Sequence, residues 1–123
     1  MKRWRFIRKA LRRALEAMDF FHRSGYCHNA VNGASLWLST TNQQNIDQLS
    51  VQLVDLGAAQ KLADFGPPEA TDGRSLAREA VAEDLYQLGF VFLELIISSF
   101  CEDNVGAQKA RFRMSTHCLV VYL

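Results

Sequence analysis

A chain of 123 residues with 49% hydrophobic and 22% charged residues has the make-up of one globular domain, able to bury a single core and no more. Its formal net charge of +1 excludes a strongly acidic or basic protein whose overall field selects its partners. Three cysteines, Cys27, Cys101 and Cys118, form no C-x-x-C pair; an odd count without a secretory hydrophobic segment leads us to expect reduced thiols in an intracellular protein, cytoplasmic or organellar rather than secreted.

The charge is unevenly spread. Residues 1–14 hold Lys2, Arg3, Arg5, Arg8, Lys9, Arg12 and Arg13 without one acidic residue. Trp4, Ile7, Leu11, Ala14, Met18 and Phe21 recur every three or four places, which draws one apolar stripe down a helix from about residue 4 to 23, with Gly25 just past its end. The plain reading of the basic run is the solvated face of this helix. The sharper readings are an Arg-rich transit segment, or contact with anionic membrane or nucleic acid through residues 2–13. The stripe continues past the basic block to Met18 and Phe21, which argues for structure over a cleaved address.

Residues 25–38 read Gly-Tyr-Cys-His-Asn-Ala-Val-Asn-Gly-Ala-Ser-Leu-Trp-Leu. This stretch resembles a protein-kinase catalytic loop. In that family a helix leads through a short turn to His-Arg-Asp, then a Lys two places on, an Asn five places after the Asp, and a short apolar strand. Phe21-His22 matches the helix end, His28 the His, and Leu36-Trp37-Leu38 the strand. The positions of the Arg, the catalytic Asp, the Lys and the metal-binding Asn hold Asn29, Ala30, Asn32 and Ser35.

These replacements remove chemistry. A methyl group at Ala30 cannot accept a substrate proton, a transfer worth on the order of 10²- to 10⁴-fold in rate. Asn32 brings no positive charge to a transferring phosphate. Ser35 offers a shorter ligand than the Asn amide to Mg²⁺, which demands near-ideal octahedral geometry. The resemblance therefore implies no catalytic residue in this loop.

Thr40 to Gln48 is polar and turn-like, the expected link of a hairpin over residues 36–54. Val51 to Val54 leads into Asp55-Leu56-Gly57, which is similar to the kinase Asp-Phe-Gly motif. On that resemblance Asp55 is the metal ligand, and Asp55 and Ser35 are the cofactor-binding positions. A literal Asp64-Phe65-Gly66 follows Lys61-Leu62-Ala63, which is not expected to be a strand. It reads better with Pro67, Pro68 and Glu69 as the close of an activation-segment-like stretch, 55–69. That stretch holds no Ser, Thr or Tyr, so a phosphorylation switch would have no acceptor.

Residues 75–83 suggest a short helix, followed by a central one over 84–100 with Asp84 as N-cap. Leu85, Leu88, Phe90 to Leu93, Leu95 to Ile97 and Phe100 leave this helix almost no polar face, which predicts burial all round. In kinases an Asp at the start of this helix holds the catalytic-loop backbone, and Asp84 matches it. His28 is expected to bond backbone near Asp55. Zinc binding by His22, Cys27 and His28 lacks a recognised spacing and a fourth ligand. Beyond residue 100 the resemblance ends in a polar break, a weakly helical stretch over 107–114 and an apolar tail, Cys118 to Leu123.

The expected fold is α+β, mainly α, a protein-kinase-like large-lobe fragment with a small hairpin over residues 1–100 and a divergent tail over 101–123. The expected role is non-catalytic, as a pseudokinase-type binding or scaffold piece whose partner is another protein, with neither DNA nor a membrane span involved. No cofactor is expected, and Mg-ATP is the one the resemblance would supply. Two alternatives stand beside it. One is a truncated or alternatively spliced product of a longer kinase-family protein, which would still be classed as a kinase with ATP binding; the other is an interaction module acting through its basic amphipathic N-terminal helix.

Overall fold

Lys2–Arg23 forms one 22-residue helix, α1, in a computed structural model that describes residues 2–40, 43–66 and 73–104. Its buried face is Phe6, Ile7, Ala10, Ala14 and Met18, while Trp4 is exposed and Phe21 half-buried. The apolar stripe is thus turned by about one residue from the expected one at its N-terminal end. Phe6 and Ala10, which lay outside the expected pattern, are fully buried. Ser24 N–H donates to the Phe20 carbonyl and Gly25 N–H to that of His22. Gly25 has φ of 91°, a left-handed value that a residue without Cβ adopts without strain.

Two short antiparallel ladders follow. β1 (Tyr26–Cys27) pairs with β4 (Gln60–Lys61), Tyr26 opposite Lys61 and Cys27 opposite Gln60. β2 (Leu36–Leu38) pairs with β3 (Val51–Leu53), with Leu36 opposite Leu53, Trp37 opposite Gln52 and Leu38 opposite Val51. The hairpin link is more than a polar loop: Gln43–Gln48 makes 3-10 turns, Ile46 packs against the core and Leu49 is buried. The literal Asp64-Phe65-Gly66 falls in and just after a 3-10 turn, Leu62–Phe65; as expected Leu62 and Ala63 form no strand, although Lys61 ends the two-residue β4.

Gly73–Asn104 is a single 32-residue helix, α2, about 48 Å long at 1.5 Å per residue. This corrects three expectations. There is no break between a short helix and a central one, because good helix formers run from Ser75 to Asp84 with no Gly or Pro among them. Asp84 is therefore interior to the helix and is not its N-cap. The helix also continues through Cys101 to Asn104, where a polar break was expected. The closing Pro67-Pro68-Glu69 and the tail from residue 105 lie outside the described residues.

The core joins the buried face of α1 to Val31, Leu36 and Leu49 and to Leu88, Val91, Phe92 and Leu95 of α2. Burial of α2 all round is not what the structure shows. Leu85, Tyr86, Phe90, Leu93 and Ile97 are between 43% and 62% exposed. One helix and two small ladders cover only one side of a second helix, so sequence hydrophobicity exceeds what the described residues bury. Among them, no helix is long and apolar enough to cross a membrane.

One-sided burial has a direct consequence. Leu88→Ala is expected to destabilise the chain by about 2–5 kcal/mol, as for a filled core position. Leu93→Ala, on the outer face, is expected to stay within about 1 kcal/mol. Denaturant melts of the two variants test this, and equal losses would show that the outer face is packed after all.

Candidate functional site

The carboxylate of Asp84 is fully buried, and three donors converge on it. Oδ2 accepts from the His28 backbone N–H at 2.7 Å and from His22 Nε2 at 2.8 Å; Oδ1 accepts from the Asn29 N–H at 2.8 Å. One turn further along α2, Gln87 Oε1 accepts from the Val31 N–H at 2.9 Å. Residues three apart on a helix share a face, so α2 presents two acceptors side by side to the loop.

The rest of the loop closes on itself. Ala30 N–H points to His28 Nδ1 at 3.4 Å, and Asn32 N–H donates to Ser35 Oγ at 3.0 Å. Every backbone N–H from His28 to Asn32 therefore meets a side-chain acceptor. A loop without ladder partners needs such substitutes, since an unpaired buried amide costs about 1–3 kcal/mol. His28 Nε2 donates to the Val54 carbonyl at 3.0 Å, so the ring carries its proton on Nε2 and accepts on Nδ1. That is backbone adjacent to Asp55, where His28 was expected to bond. Phe21 stacks on Tyr26 with centroids 5.7 Å apart and meets the His28 ring edge-on, which fixes the end of α1 against the loop.

Asn29 adopts φ of 68°, a left-handed value that Asn tolerates better than most residues. Its Nδ2 donates to the Ala58 carbonyl and to Gln60 Oε1, both at 3.0 Å, and its Oδ1 receives the Cys27 thiol at 3.2 Å. A neutral amide thus links the loop directly to the stretch after Asp55.

Ser35 and Asp55 end up near each other in the chain trace, because Val54 N–H donates to the Ser35 carbonyl at 2.8 Å. Their side chains differ in availability. Ser35 is fully buried, and its hydroxyl donates to the Ala30 carbonyl while accepting from Asn32 N–H. It forms a capping box with Asn32 around the Gly33–Ser35 turn. Asp55 is exposed, with φ of 59°, and its side chain caps nothing. The structure thus offers here one exposed carboxylate and a hydroxyl already used twice. Among the described residues no three His, Cys, Asp or Glu side chains are grouped to hold a metal.

The roles of His22 and Gln87 were not found from sequence. His22 carried a signal in its place at the end of α1, but its partner lies 62 residues away. No protein-family model, curated protein or solved structure matches the chain.

Burial pushes the Cys27 thiol up from its ordinary pKa, and the neighbouring Asp84 carboxylate adds to the rise. A raised thiol pKa favours the neutral form in the fold. That contribution is present below the ordinary thiol range and is lost as pH rises through the raised value. Cys27 is expected to resist iodoacetamide at mildly alkaline pH until the chain unfolds. Peptide mapping by mass spectrometry tests this; labelling of Cys27 in the folded chain at the rate of a free thiol would contradict the buried, hydrogen-bonded placement.

Proposed function

We propose that the chain is a protein-kinase-like large-lobe piece with an emptied catalytic loop, acting as a non-catalytic binding or scaffold element toward another protein. The observation that carries this reading is the seating of the His28, Asn29 and Val31 N–H groups on Asp84 and Gln87, with a methyl group at Ala30. The loop's position is strongly maintained while its acid–base chemistry is missing.

Two further features support it. Asn29 ties the loop to Ala58 and Gln60 through neutral hydrogen bonds, so this link needs no phosphate to complete it. The outer face of α2, with Leu85, Tyr86, Phe90, Leu93 and Ile97 exposed, is the kind of apolar surface that marks contact between proteins. The alternative, a truncated kinase that still binds Mg-ATP, is disfavoured by the inward turn of the Ser35 hydroxyl.

Titration calorimetry with Mg-ATP on the folded chain, paired with a phosphotransfer assay on a generic protein substrate, separates the readings. No binding isotherm and no transfer are expected. Saturable binding abolished by Asp55→Ala would bring the truncated-kinase reading forward.

A further inference from the structure

Arg5, Arg8, Lys9 and Arg12 fall three and four residues apart and so form one stripe along α1. None of the four enters a hydrogen bond or ion pair among the described residues, whereas Arg13 pairs with Glu16 and Arg23 with Asp19. Each cation of the stripe has at least two like-charged neighbours at helical spacing, and the first turn of α1 contains no acidic residue. Arg5 also lies at the end of the helix where the backbone dipole disfavours positive charge. The stripe works against the stability of its own helix.

These four cations form one wall of a groove of about 480 Å³, completed by Leu11, Leu15, Ile46 and Asp47. Leu11 and Ile46 also pack against the core, which gives the groove an apolar floor. Asp47 stands across from the cations, on the Gln43–Gln48 turn.

We infer that the groove between α1 and the Gln43–Gln48 turn docks an acidic segment of another protein, one in which large apolar residues are interspersed with Asp and Glu. Charge complementarity places its carboxylates along Arg5, Arg8, Lys9 and Arg12, relieving the repulsion within the stripe. Its apolar side chains sit on Leu11, Leu15 and Ile46, and Asp47 accepts from backbone N–H groups that a bound peptide brings. A sugar–phosphate backbone has no such amide donor and gains nothing from the apolar floor. A bilayer surface fits less well, because the apolar face of α1 that would insert is already spent on Phe6, Ile7, Ala10, Ala14 and Met18. This inference is independent of the kinase-like reading: it uses none of the residues of the His28–Asn32 loop.

Fluorescence anisotropy on the full chain tests it. The probes are a short fluorescein-labelled peptide of mixed Glu and Leu, an all-Glu peptide of equal length, a single-stranded oligonucleotide, and phosphatidylserine-containing vesicles read by co-sedimentation. The mixed peptide is expected to bind most tightly and to weaken as salt rises. Arg8→Gln/Arg12→Gln is expected to weaken it by at least about tenfold, and Leu15→Ala by a smaller factor. The double variant is also expected to melt at a higher temperature than the parent, since removing two cations relieves the stripe. Absence of saturable binding, equal or tighter binding of any other probe, unchanged affinity in the double variant, or a lowered melting temperature would each overturn the proposal.

Discussion

The buried carboxylate of Asp84 is the point through which the two long helices and the loop between them are held. It takes the last turn of α1 through His22 and two consecutive amides of the loop through His28 and Asn29. A second brace lies at the other end of the helix pair, where Arg3 Nη1 donates to the Ser99 carbonyl at 3.1 Å. The braces are 19 residues apart on α1 and 15 apart on α2, and they run in opposite directions along the chain. The helices are therefore antiparallel, with the core packed between the two ties. Removing a buried acceptor that serves three donors strands all of them, so the arrangement behaves as one unit.

This constraint shapes what the loop can do. Its backbone is fixed from His28 to Asn32, its one histidine is spent on Val54, and the Ser35 hydroxyl closes the turn from inside. At Ala30 this fixed backbone presents a methyl group. Exposed charge and exposed apolar area lie elsewhere, on the cationic stripe of α1 and on the outer face of α2. Among the described residues neither surface belongs to the buried core cluster.

Much of the local structure was legible in the sequence. The end of α1, the turn at Gly25 and the strand at 51–53 follow from periodicity and turn residues, which act over a few positions, while its partner at 36–38 was placed by the resemblance. The bond from His28 to backbone beside Asp55 and the hold of Asp84 on the loop were reached through a family resemblance, because no local pattern points from residue 84 to residue 28. What escaped was set by distant partners. Phe6 and Ala10 are at the heart of α1 because of where α2 and the hairpin lie, and Ile46 and Leu49 turn a polar loop into part of the core. The one-sided burial of α2 also could not be read from its composition. A helix apolar all round predicts full burial only when enough chain packs around it.

The most direct test of the central role given to Asp84 is native-state hydrogen exchange at the His28 and Asn29 amides, in the parent chain and in Asp84→Asn. Asn keeps one acceptor oxygen but turns an N–H₂ group toward at least one former donor. In the parent, both amides are expected to exchange only on global unfolding, as slowly as the core of α1. In the variant they should exchange far faster, with the whole chain less stable. Rapid exchange of the two amides in the parent, at the rate of an open surface loop, would contradict the account.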